Sequence, residues 1–393
     1  WRPSMNGKFT HKIFLLALLA LFLGNGNRAY SQKTRSLDES LQLAGTNSKQ
    51  LKIAIEKCSG TDLGKTSIRF LIRNMPSADL KSLSADFLVK NIEVAIQARQ
   101  ASEWAKRVPL EVFLNDVLPY ASINERRDDW RSDFHSRFQH LVKDCKTTGE
   151  AAQALNKNVF QLLKVRYSTQ RKKADQSPYE SMETGLASCT GLSVILTDAC
   201  RSVGVPARLA GTPLWVNKRG NHTWVEVWDE GEWKFTGACE YDANGLNRGW
   251  FKGIATKADP TNPLHRIYAT SFRQTDIHFP MVWKRNSREV PGIDVTWKYT
   301  GKTKPRSPGE STVAFQLYNR AGERIATEVR ISRENRFIGS GKSRDDSNDA
   351  NDYFEINLKP GKYNMEFTWD GKKRTKVFEV AKKDQQIIKA FVD

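Results

Sequence analysis

The chain has 393 residues, 39% of them hydrophobic, with a formal net charge of +18 and a pI of about 9.6. This length allows two or three domains, each able to close its own core. The basic residues are scattered, densest at Arg171-Lys172-Lys173, Lys302 to Arg306 and Lys372-Lys373-Arg374. None of these runs is interleaved with aromatics, which argues against a groove for single-stranded nucleic acid and leaves a solvated basic surface. An anionic cell-envelope polymer or membrane surface is the sharper alternative partner.

Residues Trp1 to Ser4 precede Met5 and read as sequence upstream of a start. A short basic region with Lys8 and Lys12 follows, then an apolar run from Ile13 to Leu23, then small and polar residues ending Ala29-Tyr30-Ser31. At about 1.5 Å per residue the run spans half of a bilayer core, so residues 1–31 read as a signal peptide with upstream residues. The expectation is export to a periplasmic or extracellular location, with no transmembrane segment after signal removal.

Residues 32–146 read as a helical N-terminal region: Leu80, Leu83, Phe87, Leu88, Ile92, Ala95 and Ile96 keep helical spacing, and Pro109 and Pro119 punctuate a further pair of short helices. Thr147-Thr148-Gly149-Glu150 carries a capping-box signal for the next helix, where a catalytic region, residues 147–290, is expected to begin. Within it, Ser188 is a candidate N-cap for a helix whose Leu192, Ile195, Leu196, Ala199 and Val203 fall on one face, and Gly204-Val205-Pro206 stops it. Cys189 then sits in the first turn, where free backbone N–H groups and the helix dipole favour a thiolate. His222-Thr223-Trp224-Val225-Glu226-Val227-Trp228 reads as a strand, Asp229 to Glu232 as a turn, and Trp233 to Thr236 as a return strand.

From residue 291 to the end, short alternating segments separated by turn signals predict a β-sandwich: Ile293 to Tyr299, Thr312 to Tyr318, Tyr353 to Leu358, Tyr363 to Trp369 and Ile387 to Val392.

A cysteine at a helix start, then Gly204-Val205-Pro206-Ala207-Arg208, then His222-Thr223-Trp224-Val225-Glu226-Val227, resembles the core of the transglutaminase-like superfamily. The resemblance implies an α+β fold with a papain-like transglutaminase core. It also implies a Cys–His–Asp triad with Cys189 as nucleophile and His222 as base. The family's aspartate position, at the end of a Trp-x-x-x-Asp strand, is occupied here by Gly237. The peptide N-glycanase branch has an Asp-x-Cys-Glu run at this point, and Gly237-Ala238-Cys239-Glu240 resembles it with only the aspartate lost.

A substitute acid is therefore sought nearby, Glu240 first and Asp242 second. With a two-residue turn at Glu230-Gly231, a regular strand would place Cys239 opposite His222 and turn both acids away. A bulge or an early strand end at Gly237 would cancel that objection.

The other candidates take structural readings. Five cysteines (Cys58, Cys145, Cys189, Cys200, Cys239) allow two disulfides and one free thiol in an exported protein. Cys200 lies too far along the helix from Cys189 to share its chemistry, and both it and Cys239 read as packed residues. No cysteine pair has zinc spacing and the six histidines are dispersed, so neither a metal nor a cofactor is expected. His135 and His140 read as solvated on a polar helix, Arg208 and Glu226 as structural, and Gln176 or Tyr179 as candidate second oxyanion donors beside the Cys189 backbone N–H. The expected function is an exported cysteine peptidase or amidase acting on a peptide or protein substrate. Transfer to an amine is a variant of it, and the alternative is a non-catalytic scaffold that binds peptide or glycan.

Overall fold

The computed structural model describes residues 35–300, 309–334, 336–383 and 385–392. The expected signal segment and the basic run at 302–306 lie outside them. Helices and strands are mixed along the chain, and among the described residues no helix is long and apolar enough to cross a membrane.

The first part is helical. Ser48–Lys57, Asp62–Asn74 and Ala85–Gln100 bury Leu51, Ile68, Leu71, Leu88, Ile92 and Ala95 in one cluster. The apolar stripe from Leu80 to Ile96 is not one helix. Leu83 takes an extended conformation and Ser84 caps a new helix by accepting from Phe87 N, yet Leu80 and Leu83 still reach the same core.

The Thr148–Leu163 helix starts at Thr147, whose Oγ1 accepts from Glu150 N at 3.1 Å. Only half of the capping box forms, because Glu150 Oε2 accepts from Lys146 N instead.

The Cys189–Ser202 helix is the central element. Leu192, Ile195, Leu196, Ala199 and Cys200 are buried on it, and Ser188 Oγ accepts from Gly191 N at 3.0 Å. Arg131 ties the helical region to this helix: it donates to Asn91 Oδ1 and to the carbonyls of Val117, Leu118, Pro119 and Arg201. His135 is not solvated as expected. It is buried, with Nδ1 2.8 Å from the Ser202 carbonyl, because its helix packs on the far end of the cysteine helix.

A six-stranded sheet covers the cysteine helix. Its strands are β1 (Ala207–Thr212), β2 (His222–Asp229), β3 (Glu232–Thr236), β4 (Tyr268–Thr270), β5 (Ile277–His278) and β6 (Pro291–Asp294), in the order β3-β2-β1-β4-β6-β5 with every pair antiparallel. The hairpin register pairs Asp229 with Glu232 and Val225 with Thr236, as a two-residue turn requires. β6 ends at Asp294 rather than running to Tyr299. Asp294 Oδ1 accepts from the N–H and hydroxyl of Thr296, which starts one helical turn over Thr296–Tyr299.

Besides a short parallel pair, Arg166–Tyr167 with Leu186–Ala187, the further strands are β7 (Ser311–Tyr318), β8 (Glu328–Arg333), β9 (Arg336–Lys342), β10 (Phe354–Leu358), β11 (Gly361–Trp369), β12 (Lys372–Val380) and β13 (Gln385–Phe391). They form a four-stranded sheet β9-β8-β11-β12 and a three-stranded sheet β10-β7-β13. Val313, Phe315, Val329, Ile331, Met365, Phe378 and Ala390 from both sheets share one apolar cluster. The segment joining β9 to β10 leaves this body and reaches the mouth of β2, and all five cysteines are free thiols.

Candidate active site

Cys189 is the first residue of its helix and half-buried, while His222 opens β2 opposite Thr212 of β1. Packing of the helix on the sheet brings the two side chains together. Thr190 Oγ1 lies 3.0 Å from Thr223 Oγ1, and Ser193 Oγ bonds the carbonyls of Cys189 and Thr223, so the residues next to both groups are tied across the helix–sheet contact. The imidazole is 2% exposed and packs against the rings of Trp250 and Phe251, with centroids 4.8 and 5.1 Å away. A cavity of about 690 Å³ opens beside them, lined by Tyr167, Cys189, His222, Glu240 and Trp250 on one side and by residues 342–352 on the other.

β3 stops at Thr236. Cys239 then takes a left-handed conformation (φ 66°) inside a turn closed by Glu240 N donating to the Gly237 carbonyl, while Asn156 holds that carbonyl and the Cys239 N–H. The early strand end turns Glu240 inward. A Cβ on Gly237 would overlap Glu240 Oε2, so the Glu240 carboxylate fills the space that a side chain at 237 would take. Its Oε1 accepts from Trp250 Nε1 at 3.1 Å, and its Oε2 is buried with no hydrogen-bond partner. Burial pushes this carboxyl up to about 7, with His222 holding it down and Asp349 adding to the rise.

Asp242 is not part of this group. It lines the same cavity, but its carboxylate is taken up by Asn244 and Arg248 and makes no pair with His222. Cys239 is exposed rather than packed against His222, because the strand that would have placed it there has ended. Gln176 donates to the carbonyls of Glu180 and Leu186, and the Tyr179 hydroxyl donates to that of Asp129. Both hold the loop before the cysteine helix, and neither lines the cavity.

The carboxylate nearest the imidazole comes from the β9–β10 segment. Asp349 Oδ2 lies 3.4 Å from His222 Nδ1, and both side chains are buried. Three donor atoms, from Cys189, His222 and Asp349, all lie within 4.8 Å of one another. Burial alone would lower the His222 pKa, but the paired Asp349 overrides it and raises that pKa well above its ordinary value, while the same pairing depresses Asp349.

Nothing local in the sequence marks Asp349, since it lies in a polar loop of another sheet pair. The loop is anchored beside the site: Ala350 N donates to the Tyr167 hydroxyl, Asn351 Nδ2 donates to the Asn221 carbonyl, and Arg219 pairs with Glu355.

The compactness of this group limits what Asp349 can do. In a nucleophile–imidazole–carboxylate relay the thiol and the acid use opposite nitrogens, so sulfur and carboxylate oxygen stand roughly 7 Å apart, two hydrogen bonds plus the ring width. Here they are within 4.8 Å, which places Asp349 on the thiol's side of the ring.

Residues 136–237 match the model of the transglutaminase-like superfamily. No curated protein matches the chain. Among solved structures it is similar to a candidate cysteine protease from Cytophaga hutchinsonii (16% identity, TM-score 0.25, covering 42% of this chain and 58% of that one). It is similar also to a candidate protease from Parabacteroides distasonis (8%, TM-score 0.25, 61% and 36%) and to the Bacillus anthracis TIE protein (15%, TM-score 0.18, 48% and 30%). The chain thus spans less than two thirds of each of these proteins, and TM-scores this low carry no argument. What the family match adds is a transglutaminase-like core spanning the cysteine helix and the histidine hairpin.

Proposed function

We propose that the protein is an exported cysteine hydrolase of the transglutaminase-like type, cleaving peptide or amide bonds through an acyl-enzyme on Cys189. The observation that carries this reading is the juxtaposition of the Cys189 thiol and the His222 imidazole at the wall of an open cavity. The thiolate adds to the carbonyl carbon, and the backbone N–H at the helix start is placed to meet the developing oxyanion. The carbon–nitrogen bond breaks as the imidazolium gives its proton to the leaving amine, and water, deprotonated by the imidazole, cleaves the thioester.

Glu240 is the acid of this proposal. It supplies from position 240 the carboxylate that the family carries at position 237, and its unpartnered buried Oε2 and the unpartnered Nε2 of His222 support that role. Asp242, held at the surface by Arg248, drops out of the mechanism.

Export rests on the pattern from Lys8 to Ser31. Residues 32–146 form the helical region of this scheme. The catalytic domain, expected over 147–290, extends through β6 and the Thr296–Tyr299 turn, which pack in its sheet, so the β-sandwich expected from 291 starts at β7 and lends its β9–β10 loop to the cavity. A soluble basic surface is retained as the reading of the net charge, with an anionic envelope polymer as a candidate partner.

The test is chemical. Cys189 should react with iodoacetamide at about pH 6 faster than an ordinary thiol, and Cys189→Ala should abolish both this labelling and cleavage of a peptide library. The non-catalytic scaffold is favoured by one observation, the 2% exposure of His222 beneath the Asp349 loop. Ordinary thiol reactivity, with no cleavage in the library, would establish that alternative.

A further inference from the structure

Asp349 is not the orienting acid of the proposed chemistry, yet it is buried and aimed at the reacting pair. We infer that Cys189, His222 and Asp349 form a binding site for a zinc-type divalent ion, closed by the β9–β10 loop.

The donor set is one sulfur, one imidazole nitrogen and one carboxylate oxygen within 4.8 Å of one another, and the mobile thiol has to close to roughly 3.6 Å from the other two to share a tetrahedral ion. Zinc takes these three ligand types, in sites of three protein ligands plus one open position. The Nδ1–Oδ2 separation of 3.4 Å is longer than a good hydrogen bond, and Nδ1 has no aligned hydrogen-bond partner although it is buried. Two ligands about 2.1 Å from a tetrahedral ion sit roughly 3.4 Å apart, so the spacing that is poor for a hydrogen bond suits a shared metal.

The groups behind the ligands fit as well. The backbone N–H and side-chain amide of Asn351 both donate to Asp349 Oδ1, at 2.9 and 3.2 Å, which leaves Oδ2 free to face the imidazole. Asn351 is itself fixed to the Asn221 carbonyl, next to His222 in the chain. On the imidazole, Nε2 is buried and unpartnered, and the nearby Glu240 has an equally buried, unpartnered Oε2. Histidine ligands commonly donate their second N–H to a carboxylate. Glu240 makes no hydrogen bond to Nε2 in this structure, but it is a buried carboxyl that feels the His222 charge and would take that part on a small shift.

A bound ion would occupy the lone pairs of the sulfur and the nitrogen that the acyl transfer needs. The site would therefore act as a reversible lock, with the β9–β10 loop as its third jaw. Metal binding itself does not depend on the hydrolase reading; only the lock does.

The experiment uses the full chain, reduced and stripped of metal. Cobalt(II) titration followed by absorption should give a thiolate-to-cobalt charge-transfer band in the near ultraviolet that saturates at one ion per chain, and zinc should displace it. Cys189→Ser should lose the band. Asp349→Asn should weaken zinc binding by calorimetry at least tenfold, and Glu240→Gln by about tenfold, the usual cost of losing a partner behind a ligand.

Zinc should also protect Cys189 from iodoacetamide, with reactivity restored by a chelator. Absence of the band in the wild-type protein, its survival in Cys189→Ser, or unchanged zinc affinity in folded Asp349→Asn would each overturn the site. Labelling of Cys189 in chelator reads the hydrolase proposal separately, so either idea can fail without the other.

Discussion

Replacing Gly237 with alanine tests the placement of Glu240 without touching the acid itself. The new Cβ would fall on Glu240 Oε2, with Cδ only 2.5 Å and the Glu240 Cβ 3.0 Å away, so the flexible carboxylate end has to move while the backbone can stay. Leaving costs Glu240 its bond from Trp250 Nε1 at 3.1 Å, about 1 kcal/mol while the carboxyl is protonated and about 1.5–3 kcal/mol once it is charged. The carboxylate regains water in exchange for a site whose burial pushes it up to about 7, which offsets most of that loss. The melting temperature should therefore change little. Hydrolysis measured above pH 7, where the Glu240 carboxyl is ionised, should fall about 10²- to 10⁴-fold, the range for removing an orienting acid. Glu240→Gln should do the same, and the Gly237→Ala/Glu240→Gln double variant should be no worse than either single, because both remove one carboxylate from one place. Gly237→Asp combined with Glu240→Gln should recover part of the rate by supplying the acid from the family's position. Effects that multiply in the double variant, or Gly237→Ala at full activity beside an inactive Glu240→Gln, would refute Glu240 as the acid.

Trp250→Phe keeps a ring against His222 but removes the donor to Glu240 Oε1, and a loss of about tenfold in kcat/KM with an unchanged fold is expected. Arg131→Met strips five acceptors of their shared donor in the buried seam between the helical region and the cysteine helix, so a loss of about 3–5 kcal/mol in denaturant unfolding should follow. Glu226→Gln leaves Arg208 and Lys298 beside an uncharged partner. Burial would raise the Glu226 pKa, but these cations bring it down to about 2, so its stabilising effect exists above the ordinary carboxyl range and fades as pH falls through that value. The variant should be several kcal/mol less stable than wild type at pH 7 and nearly equal to it at about pH 2. Asp116 shows the opposite sign: burial raises it to about 6, the native state holds the proton more tightly, and stability is lost as pH rises from its ordinary value toward 6. Asp116→Asn should melt above wild type at pH 7 and with it at pH 4, and a gain independent of pH would contradict this.

The reacting pair was legible because each member is marked by local rules. Cys189 follows an N-cap serine and precedes an apolar stripe that ends at Gly204, and all of this is found in the helix observed. His222 opens a hairpin whose register follows from Glu230-Gly231. The position of Glu240 hung on one residue, because strand parity turned it away and only an end at Gly237 could bring it back. Parity failed because β3 stops at Thr236. Strands β8, β9 and β12 carry weak sequence signals for different reasons: β8 shows only two apolar alternations, Val329 and Ile331, β9 has two glycines and leaves Phe337 and Ile338 exposed, and charged residues dominate β12. In Lys372–Val380 only Phe378 and Val380 are buried, too few to show alternation. The turn at Thr296 was hidden in the β-branched composition of Ile293 to Tyr299, where the Asp294 side chain decides the outcome.

Asp349 belongs to a different class of invisibility. Its neighbours Ser347, Asn348, Ala350 and Asn351 spell an ordinary polar loop, and what gives it a role is the docking of one folded body on another. That docking uses contacts with no periodicity: Ala350 on Tyr167, Asn351 on Asn221, Gln385 on the Asn217 carbonyl. Two of these partners, Asn217 and Asn221, lie in the β1–β2 turn that leads into His222, so the C-terminal sheets are fastened to the chain segment that aims the base. A loop held at that point can cover the thiol only while its anchors hold: the bonds at Ala350 and Asn351 are worth about 1 kcal/mol each, beside the Arg219–Glu355 and Asp349–His222 pairs. Cutting any one anchor, as in Tyr167→Phe, should therefore raise access to Cys189 by a few-fold without changing the core.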